Sequence, residues 1–436
     1  MDHVKTPIVG SPRAPRNTGS RNSILLRVFW PIAVLTILHR SIFVGTNMGN
    51  TDDFTTVFRA VRGFVDGNPI YQQDYQSVEP HFLYSPGGTL LITPLIGYTD
   101  DVDVARHVFL AVQAIAIIAA IALLIRWMGV SLRSWVFPAS LAAVFITESV
   151  TNTIQFTNIN GLLLLMLVGF LILLLKDRGI WAGILLGLAI AVKPVFAPLL
   201  FLPFVRKQFS TIGSALAVPA LVNIIAWPMM NSPREYIDLT MPYLSEVRLH
   251  ANVSLAGQFE YFGVSERWLT LWQAIIALAI IVGLALTLRW VNRDPIFWAA
   301  TSSGLLFLAG FLLLSLGQMY YSMFLFPMIF TLIRVLEGRR DLEGRPVRSV
   351  MASWPAWVAM VLIFGFIGWW TDQWAMGSFW WDVGRGMIGW TLLAVSVTGI
   401  LVKWTIDEVA AGGDLIPGRP MKRRIAAPET ASPKGA

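Results

Sequence analysis

The sequence predicts an all-α polytopic membrane protein, a bundle of about 12 transmembrane helices, two of them short, with large outer loops. Three observations carry that class. The 436 residues are 55% hydrophobic and only 14% charged, where a soluble chain carries about a quarter charged residues. The apolar residues gather in runs long enough to span a bilayer core, where only helices or closed barrels satisfy their own backbone groups. The excess of Lys and Arg, a net charge of +7, falls between those runs, as topogenic charge does, so no nucleic acid is implied as partner. Zero cysteines exclude disulfides and thiolate chemistry, and five histidines without an H-E-x-x-H pair give no metal site.

Taken in order, residues 1–22 are rich in Arg, Pro, Ser and Gly and read as a disordered cytoplasmic tail. The run 23–44 is too long for a signal-peptide core and is kept as the first membrane helix. Residues 45–103 form an outer loop. Within it Phe54, Val57, Phe58, Val61, Phe64 and Val65 recur at helical spacing opposite Thr55, Thr56, Arg59, Arg62 and Asp66. That pattern predicts an amphipathic helix lying on the membrane with its apolar face down, ended by Gly67-Asn68-Pro69. Residues 86–97 are left open as a further short helix. Spans follow at 104–128, 135–150 and 159–175, the last two joined by a polar outer turn from Thr151 to Asn158. Segments 180–192 and 195–205 are shorter than the roughly 20 residues a crossing needs. Lys176, Arg178, Arg206 and Lys207 flank them, so they read as two short helices meeting inside the membrane at Lys193-Pro194.

Further spans are expected at 210–230, 268–288, 295–315, 322–336, 350–369 and 386–404, with a second outer loop at 231–267. The membrane domain thus runs from 23 to 404, and 405–436, with Met421-Lys422-Arg423-Arg424, reads as a cytoplasmic tail. This layout leaves both termini inside and most Lys and Arg on the cytoplasmic face. Chemistry then belongs to the outer face, where the two loops hold most carboxylates outside the tails.

Asp52 and Asp53 open the amphipathic segment. They either cap its helix or present a carboxylate that accepts a hydroxyl proton at the membrane boundary. Tyr84-Ser85-Pro86-Gly87-Gly88 is either a helix start or a turn whose free amides face a phosphate. Lys193, between two apolar helices, is costly unless paired or facing a polar cavity, and pairing with a lipid phosphate is one such role. His39, Arg40 and the pair Arg106-His107 either neutralise a phosphate or anchor their helices, and Arg248 and His250 offer the same choice. Trp369, Trp370, Trp374, Trp380 and Trp381 either form an interfacial aromatic belt or stack on sugar rings. Asn252-Val253-Ser254 matches a glycosylation sequon.

The chain resembles the polyprenol-phosphate-sugar-dependent glycosyltransferases of the GT-C fold, family 87. The likeness runs through Leu38-His39-Arg40-Ser41-Ile42, Thr51-Asp52-Asp53-Phe54 and Pro80-His81-Phe82-Leu83-Tyr84-Ser85-Pro86-Gly87-Gly88. It continues in Glu148-Ser149-Val150-Thr151-Asn152-Thr153, Phe156-Thr157-Asn158-Ile159-Asn160-Gly161, Lys193-Pro194, Phe297-Trp298 and Tyr320-Tyr321-Ser322-Met323. The resemblance implies an inverting transfer of arabinofuranose from decaprenylphosphoryl arabinose to arabinan of arabinogalactan and lipoarabinomannan. It implies α-(1→3) branches, made at the outer face of the cell membrane without a cofactor. It puts the catalytic acid on Asp53, with Asp52 the adjacent alternative. Lys193, Arg40, His39 and His107 are then candidates for the donor phosphate, and Tyr84, His81, Asn158, Asn252, Tyr320 and Tyr321 for the substrate cleft. A mannosyltransferase using polyprenyl-phosphate mannose is the rival within the class, and a lipid flippase or transporter the rival outside it. The latter would carry ionisable residues on several spans and repeat symmetry, which this sequence lacks.

Overall fold

Apolar runs punctuated by proline and glycine set the architecture. The computed structural model describes residues 18–47, 52–77, 80–249, 252–366 and 375–412, with the side chains of residues 18–21, Asn47, Asp52 and most residues between 375 and 383 outside the description. Among the described residues there is no strand. The chain begins with α1 (Thr18–Leu38), which continues as a π-helical turn, His39–Val44. Next come α2 (Asp52–Val65), α3 (Pro86–Ile96), α4 (Val102–Trp127), α5 (Val136–Ile146), α6 (Glu148–Gln155), α7 (Asn160–Leu175) and α8 (Gly179–Val192). A 3-10 segment, Pro194–Leu200, leads into α9 (Phe201–Val205) and α10 (Phe209–Ala226). Then follow α11 (Met241–Ser245), α12 (Leu255–Tyr261), α13 (Glu266–Thr287) and α14 (Pro295–Leu313). A second 3-10 segment, Met319–Leu325, precedes α15 (Phe326–Leu336), α16 (Trp354–Phe364) and α17 (Ala375–Ala410).

Among the described residues, seven helical stretches are long and apolar enough to cross a membrane, and six shorter apolar helices stand beside them. The two short helices expected around Lys193 are present as α8 and the pair formed by Pro194–Leu200 and α9. Several boundaries differ from expectation. α1 starts at Thr18 and α17 runs to Ala410, so both take in residues expected in the tails. The polar stretch expected as a turn at Thr151–Asn158 is mostly α6, capped by Thr147, whose Oγ1 accepts the Val150 N–H at 3.4 Å. The expected outer loops contain α2 and α3 in one case, α11 and α12 in the other.

The apolar face of α2 is not turned toward lipid. Phe54, Phe58 and Val61 are buried, in one core with Ile92 and Ile96 of α3 and Phe109 of α4. The Phe54 and Phe109 rings lie 5.8 Å apart. Periodicity reveals that a helix has an apolar face, while the tertiary fold decides what covers it. At about 1.5–3 kcal/mol for each large apolar side chain removed from water, this face fixes α2 against the bundle.

α8 packs along α10 through a stripe of small residues, Gly179, Gly183 and Gly187, one per helical turn. A Cβ at Gly183 would collide with Ser214 Oγ and the Thr211 carbonyl, and one at Gly187 would stand 2.9 Å from the Ala215 carbonyl oxygen. Close approach of this kind is how helices associate where lipid removes any hydrophobic drive. It holds the end of α8, and so Lys193, in a set place. Behind that end the two 3-10 segments meet, Phe196 packing on Phe307 and Phe324 at 5.1 and 4.9 Å between ring centroids. Replacing Gly183 with valine is expected to cost about 1–3 kcal/mol through overpacking, read as a lowered thermal midpoint in detergent. Gly213→Ala, where a Cβ would meet nothing within 4 Å, should not lower that midpoint, since replacing a glycine inside a helix is itself mildly stabilising.

Candidate active site

Proline at 194 ends α8 and forces the residue before it out of helical geometry. Lys193 is extended there, at φ −136° and ψ 105°, and its side chain leaves the helix at the break. The ammonium donates to Asn160 Oδ1 at 2.8 Å and Asn158 Oδ1 at 3.3 Å. It also lies over the rings of Tyr321 and Tyr320, 4.8 and 5.3 Å from their centroids. Carbonyl dipoles and aromatic faces are the ligands that an ammonium away from water requires.

Asn158 is aimed by a strained neighbour. Thr157, a β-branched residue, is held at φ +49°, and the chain reverses there between α6 and α7. Such a conformation persists only where the surroundings impose it, and such positions cluster at functional sites. The Asn158 amide then works in both directions. Its oxygen accepts from Lys193, and its Nδ2 donates to Asp53 Oδ2 at 3.0 Å. Asp53 sits in the first turn of α2, above buried Phe54. A carboxylate and an ammonium are thereby tied through one side-chain amide.

These groups open on a cavity of about 1420 Å³ lined by Asp53, Tyr84, His81, Asn158, Lys193, Tyr320 and Tyr321. Ile92, Ile96, Ile190, Pro219 and Trp227 give another part of the wall an apolar surface. Sites for single small molecules occupy about 300–1,000 Å³, so there is room here for more than one substrate. Burial pushes the Tyr84 phenol far above its ordinary pKa and the Asp53 charge adds to that, so Tyr84 remains a hydroxyl donor. His81 bonds through Nε2 to the Asp74 carbonyl at 2.8 Å, which leaves Nδ1 to accept from Tyr243 Oη at 3.1 Å.

Other sequence candidates lie elsewhere. His39 is exposed and stacks on Phe43, Arg40 rests over the Phe366 ring at 5.3 Å, and His107 bonds to the Asp103 carbonyl of its own helix at 2.6 Å. None of the three lines the cavity. Asn252 is fully buried and does not line it either. Its Nδ2 donates to the carbonyls of Arg248 and Ser315 at 2.8 and 2.7 Å, and its Oδ1 accepts from the amides of Ser254 and Gly317 at 3.0 Å each. It staples two chain segments together, so neither a cleft role nor glycosylation suits it. The turn at Tyr84–Gly88 is a helix start. Ser85 Oγ accepts the Gly88 amide at 3.1 Å and Asn223 Oδ1 accepts the Gly87 amide at 2.9 Å, so these N–H groups are spent. The Asp52 side chain, His250, Trp369, Trp370, Trp374 and the Trp380 side chain lie outside the described residues.

The sequence reading passed over Asn160 and Glu148 as site residues. Asn160 looks like the start of an apolar run, and only its spacing of two from Asn158 hints that both amides meet Lys193. Glu148 lines the cavity and forms a buried ion pair with Arg385, whose other nitrogen donates to the Leu362 and Gly365 carbonyls at 2.9 and 3.0 Å. Their separation in sequence conceals that pairing. Among the described residues no group of three or more His, Asp or Glu gathers as a metal ion would need.

A helical bundle with spans of membrane-crossing length that encloses a carboxylate and an ammonium in a cavity large enough for two substrates suits a membrane transferase. The chain belongs to glycosyltransferase family 87, whose model matches residues 82–315. It is 42% identical over 413 residues to an alpha-(1->3)-arabinofuranosyltransferase of Corynebacterium glutamicum, covering 94% of this chain and 95% of that protein. Enzymes of the same name from Mycolicibacterium smegmatis and Mycobacterium tuberculosis are 41% and 39% identical over 422 and 424 residues. In both cases the match covers 94% of this chain and 93% of the relative. Asn158 and Lys193 fall inside the family-matched segment, and Asp53 precedes it. Replacing Asn158 with leucine would sever the link between Lys193 and Asp53. A misplacement of that order is expected to slow glycosyl transfer about 100-fold in a membrane assay at saturating substrates.

Proposed function

We propose that this protein transfers arabinofuranose from a polyprenyl-phosphate donor, decaprenylphosphoryl arabinose, onto arabinan, forming the α-(1→3) branches of arabinogalactan and lipoarabinomannan. The observation that carries the reading is identity of 39–42% across some 94% of the chain with enzymes whose name states α-(1→3)-arabinofuranosyl transfer. The cavity supports it by joining a carboxylate to a fixed cation beside an apolar wall suited to a lipid chain. Asp53 takes the proton from an acceptor hydroxyl as the oxygen attacks the anomeric carbon. The bond from that carbon to the phosphate oxygen breaks, and the lipid phosphate leaves with the bonding electrons. One displacement inverts the anomeric centre. The charge of Lys193 stabilises the negative charge that builds up on the phosphate. Because the donor arrives activated as a phosphodiester, the reaction draws on no nucleotide or redox cofactor.

In this reading the long and short apolar helices together make about twelve crossings, with the cavity opening on the outer face of the cell membrane. The distribution of Lys and Arg supports that orientation. Membranes containing the protein, given labelled arabinose donor and a short arabinan acceptor, are expected to yield a product whose linkage analysis shows a new α-(1→3) branch. Polyprenyl-phosphate mannose in excess should not compete. Mannose incorporation in place of arabinose would overturn the assignment.

A further inference from the structure

Two cations face the cavity near Tyr320 and Tyr321, and they differ in what they have left to give. Lys193 spends its ammonium on two asparagine oxygens and two aromatic faces. With only three hydrogens, it keeps at most one free. Arg248 also lines the cavity, lying over the Tyr243 ring at 5.3 Å. Among the described residues its guanidinium has no hydrogen-bond partner, and no carboxylate lies within 4.0 Å of it, although Glu246 is two residues away and faces the same space. All five of its N–H donors are unspent, in a planar fork that matches two oxygens of one phosphate.

The backbone beneath Arg248 is held as a binding residue requires. Its carbonyl is gripped by the buried Asn252 amide, which also grips the Ser315 carbonyl. The Val253 amide donates to the Gly317 carbonyl at 2.7 Å. Arg248 is thereby registered against the break at 314–318 that leads into Tyr320 and Tyr321, the rings under Lys193.

We propose that Arg248 makes the direct contacts to the phosphate of the lipid-linked donor, while Lys193, tied to Asp53 through Asn158, acts on that phosphate by its charge alone. This rests on the lipid-phosphate donor of the proposed function. The test uses the full-length protein in nanodiscs and two sugar-free probes, decaprenyl phosphate and the uncharged decaprenol. Wild type should bind the phosphate more tightly. Arg248→Met should reduce that preference by roughly 10- to 100-fold, the range for charged hydrogen bonds, with decaprenol affinity unchanged. Arg248→Lys should fall between, since a point charge replaces the fork. Full preference in Arg248→Met would overturn the proposal, as would a loss of affinity for both lipids alike in both variants. Inorganic phosphate as competitor separates the two sources of the anion: displacement of decaprenyl phosphate only at high millimolar concentration supports the lipid ligand, and displacement at micromolar concentration overturns it. Sugar transfer by wild type is scored separately, so its failure counts against the donor assignment and not against the anion site.

Discussion

An ammonium held among apolar helices must be compensated, and the structure around Lys193 is built on that requirement. Three features that look unrelated in sequence serve it. Pro194 breaks the helix and turns the lysine side chain out of it. Thr157, in left-handed conformation, swings Asn158 toward it. The second broken stretch brings up Tyr320 and Tyr321 beneath it. Asn158 then carries the compensation onward to Asp53, so the proposed base is placed by the needs of the cation.

The larger fold converts that local constraint into a site. The glycine stripe of α8 fixes the depth and rotation of the helix that delivers Lys193. The buried face of α2 fixes the start of the helix that carries Asp53. Asn252 joins the loop bearing Arg248 to the break beside Tyr320. Each device is a set of satisfied polar groups or a packed apolar surface on a rigid element, which is what precise placement of reacting groups demands. The ion pair of Glu148 with Arg385 ties α6, the helix leading to Asn158, to α17 near the end of the chain.

Much of this was legible in the sequence, and for identifiable reasons. The helical class followed from long apolar runs, and the break at Lys193-Pro194 from two runs too short to cross on either side of a lysine. Asp53, Asn158, Lys193, Tyr84, His81, Tyr320 and Tyr321 all reach one cavity. What escaped was information that only tertiary packing holds. An amphipathic pattern did not say that protein, not lipid, covers Phe54 and Phe58. The three glycines of α8 recur at every fourth residue, a signal of close packing that was there to be read. Arg40, His39 and His107 sit near those stretches of chain, yet none of them lines the cavity. Arg248 could not be told from other loop cations, because what distinguishes it is the absence of a partner among the described residues.

The most direct measurement is single-turnover transfer by Asp53→Asn, with donor binding recorded on the same preparation. The amide keeps the shape of the side chain and its bond to Asn158 but cannot take a proton. The account predicts that transfer is abolished while the variant stays folded and still binds donor. Transfer at the wild-type rate would remove Asp53 from the chemistry and contradict the account.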